Sequence, residues 1–256
     1  MTFYYKNIPI HYEAIGKGPA IFLLHGFLES STMWNPLIQE FSKKNTLVTI
    51  DFPGHGKSGV IAETHSMELM AEVVNEVMQN LQIFTATLMG HSMGGYVALA
   101  YAELFPEKVE KLILLNSTPI ADSEERKENR NRALKVIDQN PQAYISMAIG
   151  NLFAETSREK FASEIEVLKN EAYSFPVEGI KAAIKGMRDR KDRSEVLTDF
   201  KKGKYMILAE DDPILPILEA KKIAEQCGCS VKIIEGGHMS MIENRDSVVD
   251  YLHLIG

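Results

Sequence analysis

The chain has 256 residues, of which 45% are hydrophobic and 25% are charged, as in ordinary globular proteins. This length is too short for two large domains and suits one α/β core that carries an insertion. With 28 Lys and Arg residues against 35 Asp and Glu residues, the formal net charge is -7. Such a charge disfavours binding to nucleic-acid phosphates and to anionic lipid.

The sequence shows no evident signal for export, membrane insertion or metal binding. No apolar stretch approaches the ~20 residues of a membrane-spanning helix, and the first residues do not resemble a signal peptide. The two cysteines, Cys227 and Cys229, are too close for an ordinary disulfide and too few for a zinc site. We therefore expect free thiols, no metal, no nucleic-acid or membrane partner, and a cytoplasmic location.

Short apolar segments alternate with helical patterns, which is typical of βαβ units and a mostly parallel sheet. Strands are predicted at residues 20–24, 46–50, 86–89, 111–115, 204–209 and 230–235. Several of them are apolar nearly throughout, as expected for strands covered on both faces. Residues 3–6 and 10–15 predict an antiparallel edge hairpin. Residues 66–81 place apolar side chains three and four apart and predict an amphipathic helix.

Charged residues are concentrated between positions 121 and 202. These 82 positions hold 31 of the 63 charged residues and no convincing strand. Helices are predicted there at residues 130–139, 142–153, 158–172 and 177–187, with breaks at Pro141 and Pro176. We therefore predict a core of residues 1–120 and 203–256 and an all-helical insertion of residues 121–202. The run 188–193 alternates in charge sign and predicts a solvated helix end.

The strongest chemical motif is Gly90-His-Ser-Met-Gly94, which matches the pattern G-x-S-x-G. It follows a predicted strand and precedes a helical segment at residues 96–104. A strand-to-helix turn sharp enough to present a serine forces strained torsions and close contacts, which the two glycines relieve. The motif therefore predicts that Ser92 is a nucleophile.

A serine nucleophile needs a base, and the base needs an acid that orients it. Among seven histidines, His238 follows the last predicted strand after two glycines, which could place its imidazole above the carboxyl-terminal edge of the sheet. The acid is expected in the loop at residues 209–216. By spacing alone, Asp211 and Asp212 are equally good candidates.

Other side chains near these motifs are given structural or secondary roles. His25 is expected to hydrogen-bond its own turn, His65 to precede an exposed helix start, and His91 to point away from the elbow. Four methionines flank the motif loops and are candidates for an adaptable apolar pocket, although core packing is their commoner role. They are Met89, Met93, Met239 and Met241.

Four separated motifs resemble those of the α/β-hydrolase-fold serine hydrolases across nearly the whole chain. They are His25-Gly-Phe27, Asp51-Phe-Pro-Gly-His-Gly-Lys-Ser58, Gly90-His-Ser-Met-Gly-Gly95, and Asp212-x-x-x-Pro216 with Gly237-His238. The resemblance implies an eight-stranded, mostly parallel sheet with helices on both faces and a helical lid inserted after the sixth strand.

The same resemblance implies roles for individual residues. It selects Asp212 as the acid, because the family's usual acid lies four residues before the proline. Some members place the acid after the sixth strand, where this chain has the uncharged Asn116. Backbone N–H groups of Phe27 and Met93 are implied as the oxyanion hole. No cofactor and no metal is implied.

These residues predict a hydrolase that cleaves a carboxylic ester of a small-molecule acyl substrate through an acyl-enzyme on Ser92, with His238 and Asp212 completing the triad. Relatives with the same triad suggest an alternative: C–C bond hydrolysis, lactone opening, or a lyase reaction of the menaquinone-pathway type. In that alternative, lid arginines are candidates to hold a substrate carboxylate: Arg126, Arg130, Arg132 and Arg188. A non-catalytic ligand receptor is a further possibility. A homo-oligomer is also possible, because the apolar face of the lid could pack against another subunit.

Overall fold

A computed structural model describes residues 1–255. Within these residues eight strands form one sheet: β1 (Thr2–Tyr5), β2 (Ile8–Gly16), β3 (Ala20–Leu24), β4 (Thr46–Ile50), β5 (Ala86–His91), β6 (Val109–Leu115), β7 (Gly203–Ala209) and β8 (Ser230–Ile234). The strand order is β1-β2-β4-β3-β5-β6-β7-β8. Strand β2 is antiparallel to both of its neighbours, and the other neighbouring pairs are parallel. The expected eight-stranded, mostly parallel sheet is confirmed.

Helices connect the strands and cover both faces of the sheet. They are α1 (Asn35–Phe41), α2 (Met67–Asn80), α3 (Met93–Leu104), α4 (Glu124–Gln139), α5 (Pro141–Gly150), α6 (Ala162–Ala172), α7 (Val177–Arg188), α8 (Ser194–Asp199), α9 (Ile217–Gln226), α10 (Ser240–Glu243) and α11 (Arg245–Ile255). None of the helices in the described part of the chain combines the length and the apolar character needed to cross a membrane.

Alternation along the strands divides the apolar side chains between two cores. In β3, Phe22 and Leu24 face one side, where they pack with α2 and α3, whereas Leu23 faces the other side, with α1 and α11. All three side chains are buried, since helices cover both faces. A continuous apolar run is therefore the pattern that such a strand requires.

The chain between β6 and β7 forms helices α4–α8, in the stretch where the sequence predicts a helical insertion. Helix α4 begins six residues earlier than predicted, because Ser123 caps it by accepting a hydrogen bond from the Arg126 N–H at 3.2 Å. Pro141 occupies the first position of α5, where its missing N–H costs nothing. Helix α8 was not predicted.

The charged run at residues 188–193 differs from the prediction of a solvated helix end. Arg190 and Arg193 are 5% and 2% exposed. Arg190 pairs with the buried Asp122 at 2.6 Å, and Arg193 pairs with Glu68 at 2.6 Å. Arg190 also lies over the ring of Tyr96, 4.1 Å from its centroid. The prediction is wrong for these two residues, because partners distant in the sequence neutralise them.

The prediction of an exposed position for His65 is also wrong. Its side chain is buried, and its Nε2 accepts hydrogen bonds from the N–H groups of Ile61 at 3.2 Å and Ala62 at 3.4 Å. Helix α7 packs closely against this turn, since a Cβ on Gly186 would lie 1.7 Å from the His65 carbonyl oxygen. The insertion therefore covers the start of α2.

Candidate active site

The turn between β5 and α3 presents Ser92 in a strained conformation, with φ 49° and ψ -114°. The adjoining glycines make this turn possible. A Cβ on Gly90 would lie 2.3 Å from the backbone of Gly94, and a Cβ on Gly94 would lie 2.0 Å from the carbonyl oxygen of Leu24. The glycine pattern in the sequence therefore has a direct steric cause at both positions.

Ser92, His238 and Asp212 lie together beyond the carboxyl ends of β5, β8 and β7. The Oγ of Ser92 is 2.8 Å from Nε2 of His238. The Nδ1 of His238 is 2.8 Å from Oδ2 and 3.0 Å from Oδ1 of Asp212. An ionised carboxylate can only accept, so the Nδ1–H of His238 donates to Asp212 and Nε2 is left to accept from the serine hydroxyl.

The environment of Asp212 favours its ionised form. Its Oδ1 accepts from the N–H groups of Ile214 at 2.8 Å and Leu215 at 2.9 Å, and its Oδ2 accepts from Nδ2 of Asn116 at 3.0 Å. Burial opposes the charge, but His238 and these donors outweigh it and hold the pKa of Asp212 below its usual range. Asp211, in contrast, is exposed. The structure places Asp212, not Asp211, against His238.

Ser92 and His238 open into a cavity of about 530 Å³. One wall carries Phe27 and Leu28, and the insertion supplies the facing wall from α4, α5 and α7. The insertion residues that line it are Arg126, Asn129, Arg130, Arg132, Ala133, Val136, Tyr144, Met147, Ala148, Asn151, Leu152 and Met187. The four methionines that flank the motif loops are not among the described lining residues, and each of them is buried in a core.

Phe27 and Met93, whose backbone amides are predicted to form an oxyanion hole, both lie close to Ser92 in the chain or in the cavity wall. Phe27 borders the cavity beside Ser92. Met93 is the first residue of α3, so its N–H has no acceptor within the helix. His25, in the same loop as Phe27, is buried and bonds the Gly26 carbonyl through Nδ1 at 2.7 Å and the Phe52 N–H through Nε2 at 2.9 Å. Its ring therefore holds the loop in shape.

A family model described as alpha/beta hydrolase fold matches residues 19–245. The chain belongs to this family.

Solved structures of other alpha/beta hydrolases superpose on most of the chain. A thermophilic esterase from Thermogutta terrifontis, with malate bound, gives a TM-score of 0.91 at 29% identity over 96% of this chain and 92% of that one. An esterase from Exiguobacterium antarcticum gives 0.86 at 24% identity, over 98% and 96% of the two chains. An enol-lactonase from Burkholderia xenovorans gives 0.90 at 22% identity, over 99% and 100%. The last two show the shared fold.

Curated relatives match over shorter segments. A pimeloyl-[acyl-carrier protein] methyl ester esterase from Nitrosomonas europaea is 36% identical over 110 residues, 43% of this chain and 42% of that protein. An (E)-2-((N-methylformamido)methylene)succinate hydrolase from Acinetobacter baylyi is 26% identical over 177 residues, 68% of this chain and 63% of that protein. A Mycobacterium tuberculosis protein that is named as uncharacterized is 35% identical over 106 residues, 41% of this chain and 31% of that protein. The matches therefore span less than two thirds of each of these relatives.

Two features of this alpha/beta hydrolase site were not found from its sequence. The sequence shows only that Asn116 lacks charge, whereas in the structure its side-chain amide donates to Asp212. The contacts of His91 are also not evident from the sequence: its Nε2 is 2.9 Å from the carbonyl oxygen of His238 and its Nδ1 is 3.0 Å from Oε2 of Glu29. The sequence shows a glutamate, Glu29, four residues after His25, but nothing in it indicates that this side chain is buried or that His91 is its partner.

Proposed function

We propose that this alpha/beta hydrolase cleaves carboxylic esters through an acyl-enzyme on Ser92. One observation carries the proposal: an unbroken hydrogen-bonded chain from Ser92 through His238 to Asp212, at the floor of a cavity. An isolated serine hydroxyl is a weak nucleophile, whereas one aligned with an oriented neutral imidazole can lose its proton as it attacks.

The proposed reaction has two halves. As Oγ of Ser92 bonds to the acyl carbon, Nε2 of His238 takes the hydroxyl proton, and Asp212 stabilises the imidazolium. The imidazolium then protonates the departing alcohol, and the acyl group stays on Ser92. In the second half, His238 takes a proton from water as the water oxygen bonds to the acyl carbon. It then returns this proton to Oγ of Ser92 as the bond between Oγ and the acyl carbon breaks and the carboxylic acid leaves.

The backbone N–H groups of Phe27 and Met93 are the proposed donors to the oxyanion that develops in both halves. Phe27 lies in the loop after β3 and lines the cavity with Ser92, and Met93 is the first residue of α3. Preorganised donors of this kind are each worth about 10²–10³ in rate.

The volume of the cavity supports a small to medium acyl group in the substrate, and the composition of its wall supports a lid role for residues 121–202. Its volume of about 530 Å³ is within the range of small-molecule sites, and its insertion wall includes apolar side chains such as Val136, Met147 and Leu152. The esterase from Thermogutta terrifontis and the pimeloyl methyl ester esterase support an ester bond as the target.

A second candidate is a substrate that carries its own carboxylate, as in lactone opening or C–C hydrolysis. The observation that favours it is Arg126 in the cavity wall, which donates to the carbonyl of Ile214. Among residues 1–255 no carboxylate forms an ion pair with Arg126. Arg130, in contrast, pairs with Asp122. Arg126 is thus a cation in the cavity wall that a substrate anion can approach.

Turnover of p-nitrophenyl acetate and butyrate by the wild type and by Ser92→Ala tests the proposal. We expect hydrolysis that Ser92→Ala abolishes. Labelling of Ser92 by a fluorophosphonate without turnover of any ester would favour the second candidate. Absence of labelling would contradict both enzymatic candidates and leave the fold as a non-catalytic ligand receptor.

A further inference from the structure

Three loops that carry the proposed machinery meet at one buried pair, Glu29 and His91. The Oε2 of Glu29 is 3.0 Å from Nδ1 of His91, and the two side chains are 2% and 1% exposed. Glu29 follows the oxyanion loop, and His91 ends β5 directly before Ser92. Neither side chain has a part in the proposed proton transfers.

Each end of the pair bonds a backbone group of a different loop. The N–H of Gly26 donates to Oε2 of Glu29 at 2.6 Å. The Nε2 of His91 lies 2.9 Å from the carbonyl oxygen of His238, and the rings of His91 and His238 are 5.1 Å apart between centroids. The pair therefore connects the oxyanion loop, the elbow and the histidine loop through hydrogen bonds.

The partners of His91 fix its protonation. A carboxylate and a carbonyl oxygen are both acceptors, so both ring nitrogens of His91 must carry hydrogen for the two bonds to form. Burial disfavours a charge on either group, but the opposite charge outweighs it: the pKa of His91 is raised and the pKa of Glu29 is lowered. His91 is thus an imidazolium in an ion pair.

Gly26 gives an independent sign that the pair is built into the loop. A Cβ at this position would lie 2.8 Å from Oε2 of Glu29 and 2.8 Å from Nδ1 of His91. No side chain fits without separating the pair or moving the loop that carries Phe27. The glycine of the His25-Gly-Phe27 motif is therefore required by the pair itself.

We propose that Glu29 and His91 are positioning residues that hold the backbone of His238 at a fixed distance from the oxyanion loop. The inference rests on the proposed function. The bond from His91 restrains the main chain of His238, and so the direction in which its imidazole faces Ser92. The bond from Gly26 to Glu29 restrains the neighbouring amide of Phe27 in the same unit.

The matched test compares two esters of one acid with leaving groups of different basicity. p-Nitrophenolate departs without a proton, whereas ethoxide requires the proton that His238 delivers. In His91→Phe, which removes both N–H donors, we expect kcat for ethyl butyrate to fall about 10²-fold and kcat for p-nitrophenyl butyrate about 10-fold, with KM changed less than about twofold. Loss of folded enzyme would lower both rates by one common factor.

A compensating double variant separates positioning from packing. In His91→Gln, the introduced amide has one oxygen and one NH₂ group at its two ends. Its oxygen must therefore face either the Glu29 carboxylate or the His238 carbonyl, and both of these are acceptors. In Glu29→Gln/His91→Gln, the amide at position 91 can donate to the His238 carbonyl and accept from the amide at position 29. The oxygen of the amide at position 29 can still accept from the Gly26 N–H. We expect the double variant to recover about tenfold in kcat for ethyl butyrate over His91→Gln. Equal rates for the two would contradict the proposal.

His65→Phe is the control, because His65 is also a buried histidine, but its ring accepts from the N–H groups of residues 61 and 62 and has no hydrogen bond to the loops that carry Ser92 and His238 in the described structure. It should change stability and leave the ratio of the two ester rates unchanged. A ratio altered as much in His65→Phe as in His91→Phe would overturn the inference.

Two readouts keep the inference separate from the ester-hydrolase proposal. The ¹⁵N resonances of both His91 ring nitrogens should have imidazolium values at pH 7 in the wild type and lose them in Glu29→Gln. The rate of Ser92 labelling by a fluorophosphonate should fall at least tenfold in His91→Phe, whether or not any ester is a substrate. A neutral His91 ring, or an unchanged labelling rate, refutes the positioning role even if esters are hydrolysed. A wild type that labels but cleaves no ester refutes only the proposed substrate class.

Discussion

The main-chain N–H of His238 donates to the carbonyl oxygen of Leu152 at 2.9 Å. Leu152 lies just after α5 and lines the cavity, so the proposed base and the insertion share a hydrogen bond. Movement of this part of the insertion away from the core would break that bond and loosen the loop that carries the base.

Glu243 reinforces the same junction. Its Oε1 accepts from the Ala154 N–H at 3.1 Å and from the Ser157 hydroxyl at 3.0 Å, and its Oε2 accepts from the Gly237 N–H. Glu243→Ala leaves the N–H groups of Ala154 and Gly237 without their acceptor, whereas the Ser157 hydroxyl can still donate to the Ala154 carbonyl at 3.0 Å. The change should lower the free energy of unfolding by about 2 kcal/mol. Urea unfolding measures this change.

Hydrogen exchange distinguishes a local effect of Glu243→Ala from a global one. We expect faster exchange at residues 152–157 and 236–239 than in the rest of the chain. Asn244→Ala is the neighbouring control, because its side-chain amide donates to the Glu235 carbonyl and, within the described residues, to no group of the insertion. Exchange that accelerates evenly over the whole molecule would show that Glu243 does not join the insertion to the histidine loop.

Asp212 and Asp211 should differ sharply when each is changed to Asn. Asp212→Asn replaces the carboxylate that fixes the Nδ1–H tautomer of His238, and it turns an amide donor towards Asn116. We expect kcat to fall about 10³–10⁴-fold. Asp211→Asn, at an exposed position, should stay within about twofold of the wild type. Steady-state kinetics with p-nitrophenyl butyrate decides, and an inactive Asp211→Asn enzyme would reverse the assignment.

Arg126 should determine any preference for anionic substrates. Monoethyl glutarate and ethyl pentanoate have similar length, but only the first carries a carboxylate. If that carboxylate meets Arg126, Arg126→Leu should lower kcat/KM for the half-ester about 10–100-fold and leave the neutral ester within about threefold. Arg132→Leu is the matched control, because Arg132 lines the same cavity but lies near Glu128 at 3.7 Å. Equal losses for both esters would remove the case for an anionic substrate.

His55 should make the fold sensitive to acid. Burial and the neighbouring His25 lower the pKa of His55 to about 3, and its Nε2 is buried without a partner in the described structure. Below pH ~6.5 the unfolded chain takes up a proton that the folded chain refuses. Stability therefore falls with decreasing pH, by up to about 1.4 kcal/mol per pH unit, until the folded-state pKa is reached.

The variant His55→Phe isolates this contribution. Between pH 6.5 and pH 4.5 the free energy of unfolding of the wild type should fall about 2–3 kcal/mol more than that of His55→Phe. Urea titrations at four pH values measure the difference. Parallel curves for the two proteins would mean that His55 becomes protonated in the folded state.

The strands and the elbow could be predicted because their causes are local in the sequence. A buried parallel strand must be apolar, as in β3, and the turn at Ser92 needs small residues at 90 and 94. The ion pairs could not be predicted, because their partners are distant in the chain. Arg190 meets Asp122 and His91 meets Glu29 only once the sheet and insertion have formed. Alternating charge therefore gave the wrong expectation for Arg190.

The strained backbone of Ser92 also lowers the thermal stability of the protein. A serine held at φ 49° is destabilised by about 1–3 kcal/mol relative to relaxed backbone. Ser92→Gly removes that strain, whereas Ser92→Ala keeps it, and both variants lack the hydroxyl. The glycine variant should therefore unfold at a higher temperature than the alanine variant, by a margin equivalent to about 1 kcal/mol after the greater chain entropy of glycine. Under the proposed function, the more stable of these two variants would therefore be an enzyme without its nucleophile.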